Sequence, residues 1–483
     1  MIPKREILEI ATNSNLTAHV VEKDYVLGWI ISGINQHKDI GNTWIFKGGT
    51  CLKKCCFETY RFSEDLDFTL QDEKHINEDF LKTTFTEISE WIYEKAGIEI
   101  PVDRMIFDIY ENPRGILSCQ GRLFYKGPLT PQSPKAMPRI KLDLSRDEVV
   151  VLPQVTTSVH HIYSDLPEEG FQISCYSYEE VFAEKIRALG ERSRPRDLYD
   201  VINFYRRPES REKAKKIKEV LLKKCEFKGI APPTYSDLEQ HKIECDAGWE
   251  QQLNHQLPVL PPFKSFWDEL PAFFDWLENS EKIIEKSLNA IPVRAEATQS
   301  ASEMEIKQFA LSNNGTLLER IRFAAANHLC VELNYRREDG MQKTYLIEPY
   351  SLRRTSEGNL LLYSVKHNTS EIRAFRVDRI INANATNTNF TPQYNIEFIP
   401  AGLAHINVPK TASRQSLGFP RAKKSQSYFK LTRNNSGIKY IFQCLLCGKN
   451  FTRTKMNNRL NPHKNKSGWN CPGRIGVYMR TKY

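Results

Sequence analysis

Two neighbouring segments, Lys47-Gly48-Gly49-Thr50-Cys51-Leu52-Lys53-Lys54 and Arg61-Phe62-Ser63-Glu64-Asp65-Leu66-Asp67-Phe68, set a phosphate-sized glycine turn beside two carboxylates. Side chains alternate across a strand, so Ser63, Asp65 and Asp67 share one face, while Glu64, Leu66 and Phe68 take the other, the last two toward a core. Like charges so close repel unless a cation lies between them, and carboxylate-held Mg²⁺ is the usual device for in-line displacement at phosphorus. The glycines let backbone approach a triphosphate. Each half alone is weak, because Gly-Gly-Thr is a common turn and Asp-x-Asp also occurs on solvated strand edges. Together, in this order, they point to metal-dependent nucleotidyl transfer.

A third carboxylate is available in Arg139-Ile140-Lys141-Leu142-Asp143-Leu144-Ser145, where Ile140, Leu142 and Leu144 form one face and Lys141, Asp143 and Ser145 the other. That pattern is a half-buried strand, and its polar face could equally meet only water. From Ser177 to Gly190 the pattern predicts a helix with a capping box, Ser177 and Glu180, and a terminal glycine. Lys185 falls near the middle of its apolar stripe of Val181, Phe182, Ile186, Ala188 and Leu189. A buried ammonium needs a partner, either a structural acid or an anionic ligand such as a nucleotide phosphate, and the phosphate is the favoured expectation. Arg192-Ser193-Arg194-Pro195-Arg196-Asp197-Leu198-Tyr199-Asp200 opens the next helix; Arg196-Asp197 could be a helix-start ion pair and Asp200 a solvated residue.

The glycine turn, the Ser-x-Asp-x-Asp strand and the Glu-Lys followed by Arg-Asp-x-Tyr-Asp resemble the AbiEii toxin family of the DNA polymerase β-like nucleotidyltransferase superfamily. That resemblance covers residues 20 to 207, and more loosely the helical stretch to about 285. It implies that Asp65, Asp67 and Asp143 hold Mg²⁺, that Lys185 and Asp197 join the catalytic centre, and that Gly48, Gly49, Thr50, Ser63, Lys54 and Lys185 hold the nucleotide. Glu22-Lys23-Asp24-Tyr25 also looks like this family and reads as structural, packing behind the catalytic strand.

A chain of 483 residues should hold two to four domains. No apolar run approaches the roughly eighteen residues of a membrane span, and the N-terminus lacks a signal-peptide core, so a cytoplasmic protein is expected. Of the eleven cysteines most are scattered, as free thiols in a reducing compartment would be. Cys444, Cys447, His463 and Cys471 are different: Cys-x2-Cys, fifteen residues to the histidine and seven more to the last cysteine approximate a structural Zn²⁺ site. After Glu397 there is no acid, and the fifteen Lys and Arg from Arg421 onward exceed the total charge of +9, leaving −6 for the rest. A zinc-stapled basic module with Tyr428, Phe429, Tyr440, Phe442, Phe451, Trp469 and Tyr478 interleaved suits nucleic acid, although most of those rings could be its core.

Between the ends, residues 291–306 read as a linker, 317–329 as a helix, and 331–336, 343–350, 360–366 and 372–377 as strands of a small barrel. Glu348-Pro349-Tyr350-Ser351-Leu352-Arg353-Arg354 and the run from Ile372 to Ile380 resemble a WYL domain, an SH3/Sm-like barrel. The Trp-Tyr-Leu signature is Leu360-Leu361-Leu362 here; Arg353, Arg373, Arg376 and Arg379 could bind an anion or pair with Glu348, Glu371 and Asp378.

The expected architecture is therefore α+β: a polymerase β-like nucleotidyltransferase domain over 1–290, the linker 291–306, a WYL-like barrel over 307–395, a basic linker 396–425 and a zinc-binding module over 426–483. The resemblance implies a toxin of a type IV toxin-antitoxin or abortive phage-resistance system, transferring a nucleotide from a nucleoside triphosphate to RNA, tRNA first among candidates, and held by a separate antitoxin. The other class is a nucleic-acid-binding regulator whose transferase fold survives as a ligand sensor, which the intact acids argue against.

Overall fold

The computed structural model describes residues 1–57, 61–129, 137–207, 210, 212–279, 288–293, 299–300, 315–355, 357, 359–397, 439–444, 447, 449–453, 460, 463–464, 470–471 and 476–482. The expected basic linker lies almost wholly outside these residues, as do Tyr428, Phe429 and Trp469. By packing, the chain divides into two units, Met1–Pro420 and Arg421–Tyr483.

The first unit begins with α1 (Lys4–Ser14) and α2 (Ala18–Gln36), followed by β1 (Trp44–Lys47), a single helical turn α3 (Gly48–Cys51), a π-helical turn (Leu52–Cys56) and β2 (Asp65–Leu70). Next come α4 (Glu78–Ala96), β3 (Ile106–Glu111), β4 (Leu117–Phe124), β5 (Arg139–Ser145), β6 (Val155–Val159) and β7 (Phe171–Cys175). These seven strands form one sheet in the order β3-β4-β5-β2-β1-β7-β6. Alternation decides its faces: Trp44, Phe46, Leu66, Phe68, Ile140, Leu142 and Leu144 enter one core with the apolar faces of α1, α2 and α4. The opposite face carries the polar residues of β2 and β5.

Helices α5 (Tyr178–Arg192), α6 (Pro195–Tyr205), α7 (Ala214–Lys228), α8 (Tyr235–Glu239), α9 (Lys242–Leu253), α10 (Lys264–Trp267) and α11 (Leu270–Glu278) follow. Only half of the expected capping box forms. Ser177 Oγ accepts from Glu180 N at 3.3 Å, but the Glu180 carboxylate turns to Val151 N at 3.1 Å and Leu152 N at 2.9 Å and pairs with Lys224 at 2.7 Å. The helix also runs to Arg192, and Ser193, not the glycine, takes the left-handed cap. Pro195 opens α6, where its missing N–H costs nothing.

Beyond them, α12 (Gly315–Ala326) precedes β9 (Leu329–Arg336), β10 (Gln342–Arg354), β11 (Leu360–Lys366), β12 (Glu371–Arg376) and β13 (Ile380–Asn389), ordered β12-β11-β10-β9-β13, with β8 (Gln299–Ser300) on β10. The sequence reading missed β13, whose Asn-rich outer face lacks the usual strand residues. Among the described residues these strands form a six-stranded sheet in which no pairing joins β12 to β13. Parts of the expected linker are built in: Ile291 is buried, and Gln299–Ser300 pair with Arg353–Arg354. Helices α5 to α11 and this sheet share one continuous apolar core, and the Tyr199 hydroxyl of α6 hydrogen-bonds Asn327 at the end of α12.

In the second unit β14 (Lys439–Cys444), β15 (Asn450–Arg453) and β18 (Gly476–Lys482) form a three-stranded sheet, and β16 (His463–Lys464) pairs with β17 (Asn470–Cys471). Among the described residues no helix is long and apolar enough to cross a membrane.

Candidate active site

The acids are brought together by sheet register. β2 and β5 run parallel with Asp67 opposite Asp143 and Asp65 opposite Lys141, while β1 runs antiparallel with Lys47 opposite Asp67. Asp67 thus has a carboxylate on one side and an ammonium on the other. Burial first, then the neighbouring Asp143 charge, push the Asp67 carboxyl up to about 6. Asp143 is raised for the same reasons, burial and then Asp65. The three carboxylates are not gathered within 4.8 Å of one another, as the thiol clusters described below are.

The glycine turn makes room for them. Gly48 sits at φ +77°, and a Cβ there would lie 2.0 Å from Asp67 Oδ2; one on Gly49 would lie 2.9 Å from Ser63 Oγ. Thr50 Oγ1 donates to the Asp65 carbonyl at 2.5 Å, pinning the start of β2 to the turn. Its side chain is buried and positions the strand.

The cleft of about 650 Å³ that these acids line is also lined by cations from β1, α5, the α5–α6 connection and α6: Lys47, Lys185, Arg187, Arg192, Arg194 and Arg196, with Arg61. Most are held by buried acids. Asp200 accepts from Arg61 Nε and Nη2, each at 2.8 Å, and pairs with Lys185 at 2.8 Å. Asp197 takes Arg192 at 2.7 Å and Lys185 at 3.4 Å. Against burial, Arg61 and Lys185 hold Asp200 well below the usual carboxylate range. Against burial, too, Asp200 and Asp197 keep Lys185 charged. On the other flank Lys47 lies 3.7 Å from Glu184, and Arg187 bridges Glu148 at 2.9 Å and Glu191. Burial would raise Glu184, but Lys47 and Lys224 pull it down to about 2. Arg196 Nε is buried with no hydrogen-bond partner among the described residues, although its guanidinium borders the cleft.

Gly48, Gly49, Ser63, Asp65, Asp67, Asp143, Lys185 and Asp197 therefore line one cavity. Lys54 is not brought there: it is buried 2.7 Å from Asp24, whose carboxylate also accepts from Tyr163 at 3.0 Å. The expected contact to nucleotide is replaced by an anchor between the π-helical turn and α2. Lys185, expected to favour phosphate, meets structural acids while still bordering the cleft. Asp200 is not solvated but fully buried, because α6 turns that side toward Arg61 instead of water. Asp197 pairs with Arg192 and Lys185, not with Arg196. Lys47, Arg61, Glu148, Glu184, Arg187 and the Arg192/Arg194/Arg196 series were not assigned from sequence; the alternation of those last three arginines was the one visible signal.

In the second unit the four ligand atoms of Cys444, Cys447, His463 and Cys471 all lie within 4.8 Å of one another. Cys444 Sγ is 3.8 Å from Cys471 Sγ, and Cys447 Sγ is 3.3 Å from His463 Nε2. Pairing of His463 with Cys471 across β16 and β17 sets two of them side by side.

Residues 29–279 match the family model described as nucleotidyl transferase AbiEii toxin, type IV toxin-antitoxin system, and residues 316–385 match that of the WYL domain. No curated protein matches the chain. Among solved structures, MenT4, a nucleotidyltransferase toxin from Mycobacterium tuberculosis H37Rv, aligns at 16% identity and a TM-score of 0.36, covering 58% of this chain and 90% of that one. Proteasome accessory factor B/C of Arthrobacter aurescens aligns at 15% identity and a TM-score of 0.15, covering 30% of this chain and 21% of that one. With just over half its length matched by that family, the chain belongs to the AbiEii nucleotidyltransferase toxins and carries a WYL domain behind the transferase.

Proposed function

We propose that the protein transfers a nucleotide from a nucleoside triphosphate to the end of an RNA, tRNA being the first candidate, with Mg²⁺ held by Asp65, Asp67 and Asp143. The observation that carries this reading is that those three carboxylates line one cleft together with Lys47, Lys185, Arg192 and Arg196. Carboxylate oxygens are the hard donors Mg²⁺ takes, and burial followed by the neighbouring Asp143 charge raises the Asp67 carboxyl although Lys47 lies beside it. The chemistry such an ion supplies is Lewis-acid neutralisation at the α-phosphorus.

The chain's own groups do the rest. Lys47, Lys185, Arg192 and Arg196 receive the triphosphate, and the acids behind Lys47, Lys185 and Arg192 keep those three charged and in place. In-line displacement then brings the acceptor from the side opposite the leaving pyrophosphate, past Asp143. On that side the sheet face continues from Asp143 to Gln120 of β4, its register partner, and to Tyr110 of β3, which hydrogen-bonds Gln120. Tyr110 is 44% exposed and offers a ring on which a terminal base can stack. Asp143, its carboxyl raised, takes the proton of the attacking hydroxyl as the bond to the α-phosphorus forms and the bond to pyrophosphate breaks. Cys444, Cys447, His463 and Cys471 would hold a Zn²⁺ that would staple the basic module, whose Lys and Arg grip the RNA backbone, and the antitoxin restrains the whole.

The test is incubation of the purified protein with Mg²⁺, each labelled nucleoside triphosphate and total bacterial RNA, beside Asp65→Asn/Asp67→Asn, on a denaturing gel. Label on a discrete RNA band with wild type alone supports the reading and names donor and acceptor. Failure to label RNA with any donor rejects it. In cells Asp65→Asn should abolish growth arrest.

A further inference from the structure

Eight cysteines scattered between residues 51 and 330 looked unrelated in sequence, but three of them meet in space. The sulfurs of Cys51, Cys55 and Cys175 all lie within 4.8 Å of one another, and no cysteine is in a disulfide. Cys51 ends the helical turn that carries Gly48 and Gly49, Cys55 lies one wide turn on, and Cys175 is the last residue of β7, paired with Phe46 of β1. The π-helical turn from Leu52 to Cys56 directs this meeting; such turns are rare and recur at functional sites.

We propose that Cys51, Cys55 and Cys175 form a second thiolate site, for a Zn²⁺ ion, directly behind the glycine turn of the active site. Tetrahedral zinc with bonds of about 2.3 Å spaces its sulfurs about 3.8 Å apart, so thiols already within 4.8 Å close on an ion by movements of under about 1 Å. An all-sulfur donor set takes a soft or borderline ion and rejects Mg²⁺, which keeps this site distinct from the carboxylates. Cys51 and Cys175 are fully buried, while Cys55 is partly exposed. Cys56, whose thiol hydrogen-bonds Cys51, is a further thiol beside these three. A bound ion would staple the end of the glycine turn to β7 and so fix the turn that makes room for Asp67.

The test counts metal in the full-length chain. Protein purified without chelator is assayed for zinc by mass spectrometry as wild type, Cys55→Ser, Cys447→Ser and the double variant. Two ions per chain are expected in wild type, one in each single variant and none in the double; Cys55 is chosen because its exposure lets serine be tolerated. Should the C-terminal cluster hold no metal, wild type and Cys447→Ser would both carry one ion and Cys55→Ser none, and the proposal stands. Unchanged zinc in a Cys55→Ser chain with a native circular-dichroism spectrum overturns it. If that variant does not fold, zinc in Cys447→Ser/Cys471→Ser decides, since it removes two of the four C-terminal ligands: one ion per chain is expected, and none overturns the proposal.

Discussion

Asp200 is the residue whose loss should be felt most. It is fully buried, accepts two hydrogen bonds from Arg61 and pairs with Lys185, all at 2.8 Å. Arg61, Lys185 and Arg192 pair with Asp197 and Asp200, so Asp200→Asn keeps the shape but takes these five groups from a net charge of +1 to +2. Removing one member of a buried pair costs about 3–5 kcal/mol, because the other charge is left without compensation. In the unit Met1–Pro420 that lowers the melting temperature by roughly 3–6 °C. The loss should also depend on pH in a definite sense. Arg61 and Lys185 depress the folded-state carboxyl, so its contribution is full above the ordinary carboxylate pKa and fades as the pH falls below it. Urea unfolding of wild type and Asp200→Asn at pH 7.5 and pH 3.5 measures both effects. Adding Lys185→Met should give back about 1 kcal/mol or more relative to additivity, since it removes one uncompensated cation. A loss under about 1 kcal/mol at pH 7.5, or strict additivity with Lys185→Met, refutes the charge-network account.

Three further outcomes follow from the site. Because the Asp67 carboxyl is raised to about 6, in metal-free protein its stabilising contribution is present below the ordinary carboxylate pKa and lost as the pH rises through 6. Asp67→Asn should therefore be the more stable form at pH 8, by up to about 2 kcal/mol after solvent screening, with the gap closing at pH 4; an equal pH slope in both proteins contradicts this. Gly48→Ala meets both a positive φ and Asp67 Oδ2 at 2.0 Å, so nucleotide transfer should fall on the order of 10–100-fold while the fold survives, checked by activity beside circular dichroism. Deleting residues 421–483 should weaken RNA binding most at low salt and flatten its salt dependence, measured by fluorescence anisotropy; an unchanged slope would show that the phosphate contacts lie elsewhere.

What could be read along the chain is what repeats along a strand or helix. Alternation put Asp65 and Asp67 on one face and Asp143 on the polar face of its own strand. The Cys-x2-Cys spacing singled out Cys444 and Cys447, and the glycine turn and Arg-Asp-x-Tyr-Asp run carried the family. Each of these is local, fixed by backbone geometry within a few residues. Lys54 shows where that stops: its spacing matched a nucleotide contact, but which acid a lysine meets depends on what packs beside it, and α2 supplied Asp24. Asp200 failed the same way, since a helical wheel shows which side a residue occupies but not whether Arg61 or water lies opposite.

Composition, period and spacing thus determined the transferase chemistry, the acidic strands and the four-ligand cluster, because those signals live in short stretches of sequence. Only the tertiary structure decided that Asp67 sits between Lys47 and Asp143, that buried acids hold most of the cleft's cations, and that Cys51 and Cys55 meet Cys175. Register, burial and ion pairing join residues distant in sequence, and a low-dielectric interior makes their charges matter only once the chain has closed around them.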